Sequence, residues 1–134
     1  MSEEGDEPPF PPLAPEGVEG LSDEALETQV SLKQQAEEAL EDGDQEMALK
    51  QLTAAVGLGC ATALLYCKRA TVLLELGRPR AAARDCTAAL AVNADSGKAY
   101  RIRARARLAA SLFSPRELEM LLEAQGDYRK SLAI

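Results

Sequence analysis

Apolar residues recur at helical spacing along most of the chain after Ser22. Two such series are Leu32, Ala36, Ala39, Leu40 and Leu65, Ala70, Leu73, Leu74. Separations of three and four residues place apolar side chains on one side of an α-helix. Prolines almost vanish after Ser22, and the strong helix formers Ala, Leu, Glu, Arg and Gln dominate. The pattern predicts an all-α protein whose first helix begins at Ser22, an N-cap residue followed by acids.

The pattern repeats every 34 residues. The equivalent positions are Leu32, Tyr66 and Tyr100; Ala36, Ala70 and Ala104; Gly43 and Gly77; Ala48 and Ala82; Ala55 and Ala89; and Leu58 and Val92. This period is that of the tetratricopeptide repeat, a pair of antiparallel helices that buries its apolar face only against neighbouring repeats. Gly43 and Gly77 stand where the first helix of a pair must end, a position that favours positive φ. We therefore predict three helix-turn-helix repeats, at about residues 22–58, 61–94 and 96–134, in a right-handed superhelical stack.

The six predicted helices cover about residues 22–42, 44–57, 61–76, 78–92, 96–111 and 115–133. Pro79 and Pro115 fall near first turns, where the missing N–H group does no harm. The third repeat departs from the period, because Gly126-Asp127-Tyr128 matches Arg84-Asp85-Cys86 only after about eight extra residues. We expect an elongated last helix that covers the open end of the stack.

The first 21 residues differ from the rest in composition. Five of the seven prolines and six acids lie between Ser2 and Gly20, with few apolar residues among them. Such a segment buries too little surface to offset its ordering entropy. We predict a disordered, acidic, proline-rich lead-in at residues 1–21, followed by a repeat domain at residues 22–134. A solvated linker is the favoured interpretation of Pro8–Pro12, and a ligand for an aromatic groove is the alternative.

Charge is distributed unevenly along the chain. Residues 1–46 hold 15 acids and one base, whereas residues 47–134 hold 7 acids and 14 bases. The net charge of −7 is therefore the sum of an acidic N-terminal part and a basic C-terminal part. Asymmetry of this kind is informative about binding partners rather than about the fold.

Composition also excludes several classes of function. The chain has no histidine, which excludes imidazole-based catalysis and zinc sites that need histidine. Its three cysteines have no CxxC spacing and suggest a reducing compartment, so we expect a cytoplasmic location, packing roles for Cys60, Cys67 and Cys86, and no redox role. The acidic start lacks the apolar region of a secretory signal, and no apolar run approaches the roughly 18 residues of a membrane span. We predict a non-enzymatic protein with no catalytic residue, metal, cofactor or membrane partner.

Two arginines are predicted to form structural ion pairs. Arg69 and Arg103 fall on the packed side of the first helix in repeats two and three, where an unpaired charge is costly. Asp85 can reach Arg69, and Asp127 can do the same for Arg103. We favour this structural interpretation over a ligand-binding role.

The run of alternating arginines from Arg101 to Arg107 is not interpreted as a nucleic-acid tract. On a helix, Arg101 and Arg105 share one face, whereas Arg103 and Arg107 share another. The run also lacks the aromatic residues on which bases stack. Nucleic acid is therefore not the expected partner, and an RNA-binding repeat protein is the third of the function classes considered.

The concave face of such a stack is lined by the first helix of each repeat. By the repeat period, that face receives Lys33, Gln34, Glu37; Leu64, Cys67, Lys68, Thr71, Glu75; and Lys98, Arg101, Ile102, Arg105. Five bases facing one groove of an acidic chain favour binding of an acidic protein surface over a merely solvated face. The predicted partner-binding residues are Lys33, Lys68, Thr71, Lys98, Arg101 and Arg105.

The segments LYCKRA at residues 65–70 and LGRPRAAARDC at residues 76–86 resemble the tetratricopeptide co-chaperones. Within that group the chain is most similar to the Hip family, the Hsc-interacting proteins of the seventy-kilodalton heat-shock system. One reason is Lys68, which stands where carboxylate-clamp proteins usually have asparagine. Another is the segment ALEDGD at residues 39–44, preceded by an acidic, proline-bearing lead-in. The resemblance covers about residues 22–112.

A carboxylate clamp is the rival interpretation. Proteins of that type grip a chaperone's C-terminal Glu-Glu-Val-Asp with five polar side chains, through charge-assisted hydrogen bonds. The residues at the matching positions here are Lys33, Glu37, Lys68, Lys98 and Ile102. Only two of the five are of the residue type that the clamp requires. Glu37 would repel the terminal carboxylate and Ile102 offers no donor, so we expect the clamp to be lost.

The Hip resemblance implies a specific function. The groove of this chain would bind the nucleotide-binding domain of a seventy-kilodalton heat-shock chaperone in the ADP state and slow ADP release, with no chemistry of its own. Two alternatives remain: the carboxylate-clamp adaptor and a generic scaffold that binds peptides in its groove. The family's dimerisation segment precedes the repeats, and nothing like it precedes Ser22, so we expect a monomer or a shortened piece of a longer protein.

Overall fold

The computed structural model describes residues 7–112, 114, 116 and 117, and within them the chain is all-α, without strands. The five helices of this part are α1 (Asp23–Glu41), α2 (Gln45–Gly57), α3 (Ala63–Glu75), α4 (Pro79–Val92) and α5 (Gly97–Leu112). Helices α1 and α2 pack together as one hairpin, α3 and α4 as the next, and α5 packs on α4 and α3. The all-α prediction is confirmed. The sixth predicted helix, at residues 115–133, falls outside the described residues except at 116 and 117.

Several helix boundaries follow from local signals in the sequence. The Ser22 hydroxyl accepts a hydrogen bond from the Ala25 amide at 3.1 Å, which caps α1. Gly43 and Gly77 have φ of 78° and 77° and end the first helix of each hairpin. A 2.8 Å hydrogen bond of the Schellman type closes each end, from the Asp44 amide to the Ala39 carbonyl and from the Arg78 amide to the Leu73 carbonyl. The 34-residue period therefore appears in the backbone as well as in the side chains.

Small residues at the repeated positions let the helices approach closely. The buried alanines of this set are Ala36, Ala70, Ala48, Ala82, Ala55 and Ala89. Around them, large apolar side chains such as Leu52, Leu65 and Leu73 are almost completely buried. No described helix is long and apolar enough to cross a membrane.

Equivalent tyrosines of the repeat differ in burial. Tyr66 is buried, but its equivalent Tyr100 is 51% exposed, with the Arg103 guanidinium 5.4 Å from its ring centroid. Helix α5 buries Ala99 and Ile102, and Tyr100 lies on another side of the helix. Tyr100 therefore fills no gap between repeats within the described part of the chain.

Part of the lead-in also differs from the expectation of disorder. Residues 7–14, called the N-terminal arm below, run extended across α3 and α4. Leu13 and Ala14 pack against the core, and the Ala14 amide donates to the Tyr66 hydroxyl at 3.0 Å. Composition alone predicts disorder because the arm has few apolar residues, but the folded repeats supply polar partners for its backbone.

Candidate protein-binding groove

The predicted binding residues lie on the first helix of each hairpin and on α5. Leu64, Lys68 and Thr71 fall on one side of α3 because a helix has 3.6 residues per turn, and Tyr66 and Arg69 fall on the opposite side. Two groups extend this surface, which we call the groove face: Lys33 and Glu37 on α1, and Lys98, Arg101 and Arg105 on α5.

A salt bridge joins α1 to α3 across the groove face. The Lys68 ammonium pairs with the Glu37 carboxylate, and both side chains are partly exposed. Thr71 is engaged as well, since its hydroxyl donates to the Cys67 carbonyl of its own helix at 3.0 Å. A partly exposed ion pair contributes little to stability, but it neutralises Lys68. The free positive charge of the groove face is therefore reduced at its centre.

The unpaired positive charge concentrates on α5. Lys98, Arg101 and Arg105 are exposed, and none of them has a salt-bridge partner among the described residues. The Arg101 guanidinium folds back over Gly97, the first residue of its own helix. Lys33, on the α1 side, is half-buried and likewise forms no salt bridge within the described part. The cationic end of the groove face is thus the third-repeat end.

Two residues assigned to the groove from the repeat period lie in the core instead. Cys67 is 1% exposed and Ile102 is 2% exposed. Both sit at the edge of the exposed side of their helix, Cys67 on α3 and Ile102 on α5, and α5 packs against the hairpin of α3 and α4. Of the five clamp positions, Ile102 is therefore out of reach of a ligand and Lys68 is held by Glu37, which leaves two cations, Lys33 and Lys98.

The groove face also has apolar members. Leu64 is 55% exposed, and Val30, which precedes it by one repeat period, is 53% exposed. Val30 is not among the residues predicted to line the groove, although the 34-residue period gives its position. A partner that fits this surface would present apolar groups toward α1 and α3 and acidic groups toward α5.

Arg69 and Asp85 lie away from the groove face, in the core between α3 and α4. Arg69 Nε lies 2.7 Å from Asp85 Oδ2 and Nη2 lies 2.8 Å from Oδ1, and neither residue is more than 1% exposed. Burial raises the pKa of the Asp85 carboxyl, and the hydrogen bonds and charge of Arg69 oppose that shift. The pair therefore serves the packing of the second hairpin.

The second predicted ion pair lies partly outside the described residues, because Asp127 is not among them. Arg103 itself is half-buried, and its Nη1 donates to the Thr87 hydroxyl at 3.3 Å. The Arg103–Asp127 pair stays a prediction.

The three thiols differ sharply in accessibility, which gives a prediction. Cys60 is exposed, whereas Cys67 and Cys86 are buried, and burial raises the pKa of Cys86 to about 12. The thiolate is the reactive form, so a native chain should react with Ellman's reagent rapidly at Cys60 alone. In denaturant, all three cysteines should react. Rapid reaction of more than one thiol per native chain would contradict the burial of Cys67 and Cys86. Reaction of a Cys60→Ser variant as fast as the unaltered chain would contradict it as well.

The described residues hold no cluster of three metal-ligating side chains. The arrangement on the groove face is suited to contact with another macromolecule, through exposed cations flanked by exposed apolar groups.

Comparison with known proteins finds relatives over most of the chain. The chain is 46% identical over 97 residues to a 58 kDa phosphoprotein of Plasmodium berghei, an alignment that covers 72% of this chain and 23% of that protein. It is 34% identical over 130 residues to a TPR repeat-containing thioredoxin of Arabidopsis thaliana, covering 97% of this chain and 34% of the relative. It is 35% identical over 86 residues to Hsc70-interacting protein 1 of Drosophila melanogaster, covering 64% of this chain and 23% of the relative.

The chain spans about a quarter to a third of the length of these curated relatives. No protein-family model matches it. The 34-residue period, the paired helices and the named relatives nevertheless agree. The chain resembles the tetratricopeptide-repeat co-chaperones and, within them, the Hsc70-interacting proteins.

Proposed function

We propose that this chain is a non-enzymatic co-chaperone module that binds the nucleotide-binding domain of a seventy-kilodalton heat-shock chaperone and slows ADP release. The observation that supports this most directly is the set of exposed cations on α5, Lys98, Arg101 and Arg105, none paired within the described residues. The names of two Drosophila relatives, Hsc70-interacting proteins 1 and 2, supply the class of partner, an Hsc70 chaperone.

The electrostatics favour an acidic protein surface as the partner. Basic side chains on one end of a groove steer an acidic partner into a defined orientation and raise the association rate, and salt weakens this effect. The apolar Leu64 and Val30 add surface that becomes desolvated in a complex. We expect the affinity to fall as ionic strength rises, mainly through the association rate.

Slow ADP release would follow from thermodynamic linkage. A module that contacts both lobes of a nucleotide cleft binds the closed, ADP-bound state better than the open state. The same coupling free energy that strengthens binding of the module to the ADP state must then strengthen binding of ADP. No group on the module needs to react, and the free cysteines fit a cytoplasmic location within the same proposal.

Calorimetry tests the proposal against its main alternative. Titration of the chain into the isolated ATPase domain with ADP should give saturable binding that weakens with ATP, and a fluorescent ADP analogue should leave the complex more slowly. A peptide ending in Glu-Glu-Val-Asp should bind much more weakly or not at all, because Ile102 is buried and Lys68 is held by Glu37. Tight binding of the peptide with none of the domain would instead establish the clamp-type adaptor.

A further inference from the structure

The N-terminal arm lies on the side of α3 opposite the groove face and is bound there as a peptide ligand would be. Three arginines donate to its backbone carbonyls: Arg78 Nη2 to Pro9 at 2.6 Å, Arg84 Nη1 to Pro11 at 3.1 Å, and Arg69 Nη1 to Pro12 at 3.0 Å. An extended proline-rich segment makes no internal hydrogen bonds, so its carbonyls are free to accept these donors.

An acid of the arm completes the contact at the start of α4. The Glu7 carboxylate accepts from the amides of Arg80 at 2.8 Å and Ala81 at 3.2 Å. The local N-cap residue, Arg78, makes no side-chain capping bond, so Glu7 supplies from the arm the anion that the positive end of a helix favours. Near the middle of the arm, the Arg84 guanidinium lies 5.8 Å from the Phe10 ring centroid.

The arm fits this surface incompletely. Arg78 Nε is buried and has no hydrogen-bond partner within the described part of the chain. A buried donor without an acceptor costs free energy, which a ligand with a better-placed oxygen would recover. Phe10 is also 40% exposed, so only part of its ring contributes to the contact.

We propose that this surface of α3 and α4, formed by Arg69, Arg78, Arg84 and the first turn of α4, is a second binding site, for an extended acidic proline-rich segment of a partner protein. The arm occupies the site intramolecularly and must be displaced by such a segment. Because the arm is tethered, it competes at a high effective concentration, so access depends on how tightly it is held. The site is independent of the proposed chaperone contact, which uses the opposite side of α3.

The test uses the full chain and a fluorescent peptide, EPPFPPLA, with the sequence of the arm. In the double variant Glu7→Gln/Phe10→Ala the arm is weakened, and the peptide should bind at least about tenfold more tightly than it binds the unaltered chain, since competition is relieved. Adding Arg84→Ala to this variant should abolish binding. Adding Arg107→Ala instead is the matched control and should leave binding unchanged, because Arg107 is exposed on α5, outside the proposed site.

If the peptide does not bind the double variant although the helical circular dichroism of that variant is intact, the proposal is wrong. Equal affinity of the peptide for the double variant and for the unaltered chain would also overturn it. A measurement that needs no variant is the NMR signal of the Phe10 ring, which should shift when excess unlabelled peptide displaces the arm. Competition between the peptide and a bound chaperone ATPase domain would place the peptide in the groove instead, which also overturns it.

Discussion

Replacing Lys98 and Arg101 by glutamate should reduce affinity for the ADP-bound ATPase domain by about 100-fold or more, because like charges placed against each other across an interface are strongly unfavourable. Both side chains are exposed on the groove face and form no salt bridge within the described residues, so the change should leave folding intact. Calorimetry or surface plasmon resonance at two salt concentrations gives the affinity, and thermal melting checks the fold.

The matched control for this variant lies on the same helix. Arg107 is exposed on the side of α5 opposite Lys98, so Arg107→Glu makes the same chemical change outside the groove face. It should leave affinity nearly unchanged. Equal losses for Arg107→Glu and the groove variant would show that net charge, rather than the groove face, determines binding.

A related double reversal, at Lys68 and Arg101, should also abolish binding, but its interpretation is less direct. Lys68 is paired with Glu37, so Lys68→Glu places two carboxylates in contact across α1 and α3. We expect this variant to melt at a lower temperature as well as to lose binding. Unchanged affinity for the ATPase domain would show that the groove assignment is wrong.

Arg69→Met should destabilise the repeats strongly, by about 3–5 kcal/mol, because it leaves a buried carboxylate without its partner. Arg69 and Asp85 share two short hydrogen bonds in the core of the second hairpin, and Arg69 also holds the arm through Pro12. Urea unfolding followed by circular dichroism measures the loss. The equivalent substitution one repeat later, Arg103→Met, is the control and should cost much less, since Arg103 is only half-buried.

Two further measurements separate an ion-pair role from simple loss of packing. Burial raises the pKa of Asp85, and removing Arg69 removes the main group that opposes this shift. In Arg69→Met the folded state should therefore bind a proton more readily than the unfolded state, so its stability deficit should shrink as pH falls from 7 toward about 4. The double variant Arg69→Met/Asp85→Leu should recover much of the loss at pH 7. A deficit that is independent of pH and persists in the double variant would refute the ion-pair explanation.

Much of the fold could be predicted because it depends on local and periodic signals. Ser22 caps α1, Gly43 and Gly77 adopt positive φ, and Pro79 begins α4, each for a reason contained in a few neighbouring residues. The 34-residue period then gave the helix pairing, since equivalent small residues must meet equivalent neighbours.

The candidate site could be predicted only in outline. The period placed three exposed cations, Lys98, Arg101 and Arg105, on the groove face. It also placed Cys67 and Ile102 in the groove, and they are buried. Whether a residue at the edge of a helix face is exposed depends on how closely the next helix approaches, which is not a local property. The pairing of Lys68 with Glu37 likewise depends on the distance between two helices.

The amino-acid sequence by itself determined that the chain forms repeated helical hairpins, where each hairpin turns, and that the basic residues follow the acidic ones. These properties follow from helix propensity, capping and periodicity, which act within a few residues or one repeat. Only the tertiary structure decided which cations stay free and that the acidic arm binds across α3 and α4. Those outcomes depend on contacts between residues up to 74 positions apart, such as Glu7 and Ala81, whose geometry exists only once the helices have packed.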